Sequence, residues 1–234
     1  MFKIIQSDKR HLGDHGWLQA RWHFSFSDYH DPDNMNFGAL RVFNDDVVQG
    51  GGGFPMHPHR DMEIVTYVIE GELEHRDHMG HVGKIGPGGV QVMTAGKGVV
   101  HSEANPSKTV ATRLLQMWVM PAARGTQPRY EDRAFTTKDR LNRLFPIVSS
   151  GDLPGSLTIG QDARFYVSRL EAGKTLEHSL SPGRLGYFFV ITGSVSLNGQ
   201  AVNAGDQARI SDEVNLKIVA STDAELILID LPPL

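Results

Sequence analysis

The 234-residue chain has no cysteine. That absence excludes disulfides, zinc–thiolate sites, cysteine-ligated iron–sulfur clusters and thiol nucleophiles together, so any bound metal must rest on histidine and carboxylate. No run approaches the roughly 20 apolar residues of a spanning helix. The opening residues, Met1 to Asp8, show neither a long apolar stretch nor a small-residue cleavage site. The expectation is a cytoplasmic protein with no membrane partner. A formal net charge of −4 leaves no overall basic footprint, which argues against direct nucleic-acid binding. Extended i, i+3, i+4 apolar spacing is scarce as well, so few and short helices are expected.

What is present reads as β-structure. Apolar and β-branched runs occupy residues 40–44, 63–69, 90–93, 113–120, 187–191 and 226–229, most of them ending near Gly, Pro, Asn or Asp. The 25 glycines and 12 prolines punctuate them at short intervals, favouring an all-β sandwich or barrel. Asn198-Gly199, between Ser194-Val195-Ser196-Leu197 and Gln200-Ala201-Val202, predicts a two-residue hairpin turn. Val68-Ile69-Glu70-Gly71-Glu72-Leu73 is echoed by Val190-Ile191-Thr192-Gly193-Ser194-Val195, which a duplicated barrel explains most simply. The charged, turn-rich stretch 121–140 reads as a connection between copies, giving domains 1–135 and 136–234.

The chemistry concentrates in two short segments. In Met56-His57-Pro58-His59, alternation along a strand sends both imidazoles to one face; a helix would separate them by about 200°. His101-Ser102-Glu103, beyond the glycine-rich turn Ala95-Gly96-Lys97-Gly98, has the same spacing. On adjacent strands His57, His59, His101 and Glu103 would form a four-ligand site. One His-x-His alone is more often a pair of structural histidines; the second pair is what makes the pattern specific. Three imidazoles and a carboxylate suit one divalent transition metal, with iron(II) foremost and Mn, Co, Ni, Cu or Zn as alternatives. An octahedral ion would keep open positions for substrate or dioxygen, the condition for catalysis.

Other features read as structural. His75, His78 and His81 lie in a polar, glycine-containing segment that reads as a solvated hairpin tip, and His178 as a surface residue. Gly96-Lys97-Gly98 lacks the Ser or Thr and the spacing of a phosphate loop. Trp17, Trp22, Phe24, Phe26, Met117 and Trp118 are candidates to line an apolar pocket, although core packing accounts for most of them.

Gly51, His57-x-His59, Glu63 and Gly71 resemble the first cupin motif, with one residue of difference between Glu63 and Gly71. Gly98-Val99-Val100-His101 and Asn105 resemble the second, with Gly96 where proline is usual. More narrowly, Asp14-His15-Gly16-Trp17-Leu18, Trp22-His23-Phe24-Ser25-Phe26, His57-Pro58-His59-Arg60, Met93-Thr94-Ala95-Gly96 and His101-Ser102-Glu103 resemble the pirin family, strongly over residues 1 to about 135. The resemblance implies an all-β bicupin, two stacked β-barrels of jelly-roll type, the second without metal. It implies His57, His59, His101 and Glu103 as the ligands, and leaves Glu63 behind them rather than on the ion. It further implies quercetin 2,3-dioxygenase activity, in which a flavonol ring is opened by dioxygen with release of carbon monoxide, and Glu103 would take the proton of a metal-bound 3-hydroxyl. Equally, it implies a metal- or redox-sensing role with a protein partner. A metal-dependent isomerase of small acids or sugars would want basic side chains facing the ion, for which Arg60 and Arg113 are the candidates.

Overall fold

In the computed structural model, which describes residues 2–233, two kinds of strand explain the layering. Glu63–Glu70, Thr112–Val119, Leu185–Thr192 and Ala224–Leu231 are buried along almost their whole length, whereas Val99–Ala104 and Asn215–Ala220 alternate buried with more exposed residues. Near-continuous apolar strands need cover on both faces; alternating ones need it on one.

The sheets satisfy both demands. A seven-stranded sheet runs Arg129–Ala134, Gly89–Thr94, Glu63–Glu70, Thr112–Val119, Leu40–Val48, Leu18–Trp22, His11–Asp14. Against it lies a four-stranded sheet ordered Gly53–His59, Val99–Ala104, Leu73–Asp77, Val82–Ile85. The second half repeats this: Phe2–Ile5, Gln207–Ile210, Leu185–Thr192, Ala224–Leu231, Arg164–Leu170, Phe145–Ser149, Leu157–Thr158 form its large sheet. Its small sheet runs Thr175–Ser179, Asn215–Ala220, Ser194–Leu197, Gln200–Asn203. The large sheets meet in the middle, where Phe43, Val65, Tyr67 and Met117 pack with Phe165, Tyr187, Phe189, Ile227 and Ile229. Among the described residues, helix is confined to Thr137–Arg140 and the 3-10 turn Ser7–Lys9.

The all-β cupin expectation holds, but closed barrels are not what forms. Among the described residues, hydrogen-bonded ladders run within each large and each small sheet and not from one to the other, so each half is a sandwich. The Asn198-Gly199 hairpin is present, both residues at positive φ (48° and 83°), as a two-residue turn matched to strand twist requires.

The sequence echo extends to strand order. Gly71 and Gly193 share a left-handed φ (74° and 76°). Counting from them, Gln116 lies opposite Thr66 as Leu228 lies opposite Phe188. One strand departs from the chain's linear division: Phe2–Ile5 pairs with Gln207–Ile210, at the edge that Arg129–Ala134 occupies in the first half.

The halves are also tied by charge. Arg140, on the connecting helix, reaches the Tyr67 hydroxyl and Glu225, all buried, and Arg169 pairs with the same carboxylate at 3.1 Å. Removing Arg140 leaves the buried Glu225 carboxylate to the half-exposed Arg169. Arg140→Ala is therefore expected to cost about 1.5–3 kcal/mol in urea unfolding, beyond what the loss of an exposed ion pair would produce.

Candidate metal centre

Strand pairing brings the two sequence segments side by side. His101 lies opposite His57 on one neighbour and opposite Asp77 on the other, while Glu103 lies opposite His75. The rings of His57, His59 and His101 are 4.5–4.9 Å apart, and their ligand atoms fall within 4.8 Å of one another. His57 Nδ1 is 2.8 Å from the Pro55 carbonyl, to which it donates, leaving its Nε2 as a lone pair. That Nε2 is 3.1 Å from His101 Nε2. With a lone pair on His57 Nε2, the contact is satisfied by a proton or a cation between the two nitrogens, so the histidines fit a metal.

Protonation does not compete well there. Burial, then the neighbouring His57, takes His59 down to about 4. Burial, then His57, His59 and His75, takes His101 to about 2. Both rings stay neutral and available as ligands at ordinary pH.

Glu103 joins the cluster through His101, within a second group of His75, His101 and Glu103 whose ligand atoms also lie within 4.8 Å. Its carboxylate rests on a polar row crossing the floor of the sandwich. Gln91, Thr66, Gln116 and Asn44 sit abreast on four adjacent strands. Gln91 Nε2 donates to one carboxylate oxygen and Gln116 Nε2, at 2.8 Å, to the other. Thr66 donates to Gln116 at 3.0 Å and Tyr130 to Gln91 at 3.3 Å. Burial pushes Glu103 up to about 7 against the pull of these donors.

Above the row opens a cavity of about 450 Å3, walled by Trp17, Trp22, Phe26, Phe54 and Trp118 with the three histidines and Glu103. Phe24 and Met117, also candidates for this wall, belong to the central core instead. Three buried polar atoms of the cavity residues, Asn44 Oδ1, Asp46 Oδ1 and Trp118 Nε1, find no partner in the protein among the described residues. Burial, with Asp45 and Glu103 nearby, holds the Asp46 carboxyl well above its ordinary range.

Several residues lie elsewhere than the sequence suggests. His75 is fully buried behind His101, not at a solvated tip; of its trio only His78 and His81 reach solvent. Glu63 faces the opposite side of its strand from Ile64 and Thr66, accepts from Thr94 at 2.7 Å and from the Gly160 amide, and takes no part in holding the ligands. Arg113 likewise turns away, in a bidentate pair with Asp45, and exposed Arg60 does not line the cavity, which removes the cationic feature an acid- or sugar-isomerase would want. Gly96 has φ +46 with the Thr126 carbonyl 2.2 Å from a built Cβ, so neither proline nor any larger residue fits that turn. His178 occupies the place of His57, opposite Leu216, and is largely buried against Asp230 and Tyr166. Nothing flagged Gln91, Thr66, Gln116, Asn44 or Asp46 in the sequence, because the first three are single polar residues within apolar strands and the last two belong to the polar run Asn44-Asp45-Asp46, whose inward face only the fold reveals.

Fold and site together define a two-sandwich cupin with a buried histidine–glutamate cluster able to take a divalent metal. Residues 5–119 match the pirin family and residues 146–231 the quercetinase C-terminal cupin domain. A quercetin 2,3-dioxygenase of Escherichia coli is 42% identical over 234 residues, covering 100% of both chains. A pirin-like protein of Caulobacter vibrioides is 44% identical over 224 residues, covering 95% of this chain and 96% of its own. The crystal structure of the bacterial pirin YhhW from Escherichia coli in complex with nickel(II) superposes with a TM-score of 0.95 at 40% identity, covering 100% of both chains. The chain belongs to the pirin family.

The buried carboxyl gives a pH test on metal-free protein. With a folded value near 7 against the ordinary 4.5, the stability tied to protonated Glu103 is fully present below pH 4.5 and lost as pH rises through 7. Relative to Glu103→Gln, the wild type should lose on the order of 3 kcal/mol across that window in urea melts after chelation. A pH-independent difference would mean that the carboxyl is not held in this way.

Proposed function

We propose that the protein is a metal-dependent dioxygenase opening the heterocycle of a flavonol such as quercetin, with release of carbon monoxide. The observation that carries this reading is the convergence of three neutral imidazoles beside a buried carboxyl in an aromatic-walled cavity. The proposed ligands are His57, His59, His101 and Glu103, with iron(II) the foremost ion. Residues 1–135 would form the catalytic unit and 136–234 its metal-free cover, exchanging the first strand and resembling two stacked, incompletely closed barrels. A cytoplasmic location and a flavonol partner with dioxygen follow from the same reading.

An ion held there would supply Lewis acidity toward the substrate oxygen and a place for dioxygen to react. The residues do the rest. Glu103, raised toward neutrality, receives the proton of the flavonol 3-hydroxyl. Trp17, Trp22, Phe54 and Trp118 offer faces and edges to a flat ring system and keep water out. Asn44 Oδ1 and the buried Asp46 carboxyl are placed to meet polar groups of such a ligand, which relieves their unpaired state.

The test is anaerobic metal loading, then oxygen uptake and carbon monoxide detection with quercetin. The wild type should release carbon monoxide, His101→Ala should not, and a metal-retaining Glu103→Gln should turn over roughly 10²–10⁴-fold more slowly. Tight metal binding with no turnover across several ions would sink the dioxygenase reading in favour of a metal-sensing partner protein.

A further inference from the structure

Behind the proposed ligands lies a chain of polar groups, buried as far as Asp77, that metal binding alone does not require. His101 presents Nε2 to His57 and Nδ1 to His75, whose own Nδ1 is 3.2 Å away. His75 Nε2 faces Asp77 Oδ2 at 3.5 Å, and His81 Nδ1 meets the same oxygen at 2.8 Å. The other Asp77 oxygen accepts the amides of Met79 and His81 at 2.9 and 3.0 Å. The His75 ring is stacked on Tyr130 at 4.3 Å, and Tyr130 in turn holds Gln91, which holds Glu103.

We propose that His75 is a positioning residue for the metal: it accepts the Nδ1–H of His101 and thereby fixes the Nε2 lone pair of His101 toward His57 and His59. The inference rests on the metal reading above. Proton placement leaves one consistent arrangement. An ion at the three histidines needs a lone pair on His101 Nε2, so the His101 proton is on Nδ1. His75 Nδ1 must then be an acceptor, and its remaining proton sits on Nε2, toward a carboxylate already anchored by two backbone amides. Buried contacts of this kind fix a ligand's tautomer and ring orientation.

The duplication supports the assignment independently. At the place of His101 the second half has Leu216, at that of Glu103 it has Ile218, and at that of His59 it has Leu180. His75, opposite Glu103, corresponds to Leu197, opposite Ile218. In the same fold, a sandwich without the ligand set has no imidazole at position 75's counterpart, so its role there is not required by the architecture. The group His75, His101 and Glu103 could be imagined as an ion site of its own. However, His75 has its Nδ1 turned to His101 and its Nε2 to Asp77, which favours support over ligation.

The experiment is cobalt(II) titration against a competing chelator, with proton NMR of the cobalt-loaded protein. His75→Leu copies the second half and removes the acceptor; His75→Asn keeps an acceptor oxygen close to the position of Nδ1. His75→Leu should weaken cobalt(II) about 10–100-fold, and His75→Asn should recover most of the loss. The exchangeable, paramagnetically shifted N–H signal of His101 should persist in the wild type and in His75→Asn and be lost to solvent exchange in His75→Leu. Melting of the metal-free variants reports folding separately, and if His75→Leu does not fold, Asp77→Asn, which weakens the hold on His75, takes its place and should lower affinity in the same direction. Equal affinity in Leu, Asn and wild type overturns the proposal, as does equal loss in both variants or a second cobalt(II) that disappears with His75. His57→Ala separates the two readings: if it leaves cobalt(II) binding intact, the metal site itself is wrong, whereas its loss beside a silent His75→Leu rejects the positioning role alone.

Discussion

A carboxylate cannot be buried without donors, and the first sandwich is organised around meeting that need for Glu103. Leaving a charged group unpaired in the interior costs several kcal/mol, so the apolar floor gives way to four polar side chains in a row. Gln91 and Gln116 each spend an amide donor on the carboxylate, Thr66 links them, and Tyr130 closes the far end. The donors are neutral, so they satisfy the carboxylate without cancelling its charge, and its affinity for a proton or a cation remains high. Had an arginine served instead, the group would be a fully compensated ion pair with little attraction for a metal.

Rigidity around that row comes from the layering. The large sheet carrying it is clamped between the small sheet bearing the histidines and the large sheet of the second half, so its strands are covered on both faces. The exchanged strand Phe2–Ile5 and the Arg140–Glu225–Tyr67 cluster tie the halves at separate places. A site whose ligands must converge within fractions of an ångström benefits from strands held this way rather than from loops. The second half therefore serves the site without touching the cluster.

How much of this could be read in the sequence depends on how far the determining contacts lie along the chain. His57 with His59 and His101 with Glu103 were legible because a spacing of two on a strand fixes a shared face whatever the strand pairs with. Asn198-Gly199 was legible because the turn is decided by its own two residues. His75 was not: in Glu74-His75-Arg76-Asp77-His78 charge falls on both faces of the strand, with Asp77 beside His75, and only the pairing of His75 opposite Glu103 shows their face to be interior. Gln91, Thr66, Gln116 and Asn44 become a row only once four registers are known. The closed barrels expected from the family are replaced by sandwiches, because ladder closure is a property of edges that no motif encodes.

Comparison of the two halves shows that the polar features change together. The row Gln91, Thr66, Gln116, Asn44 corresponds by register to Ala208, Phe188, Leu228, Tyr166. Glu103, His101 and His59 correspond to Ile218, Leu216 and Leu180. Physical chemistry makes such concerted exchange the easy route. Removing Glu103 alone would strand two buried amides, and removing the amides alone would strand a carboxylate, each costing about 1–3 kcal/mol or more. Replacing both sides by well-packed aliphatic groups is close to neutral. Glutamate, glutamines and histidines thus behave as one cooperative unit that a sandwich of this fold holds complete or replaces with hydrocarbon. His178, alone in the counterpart of the His57 position, shows what happens to a member left behind: it is taken up by Asp230 and the Tyr166 ring, and serves packing rather than ligation.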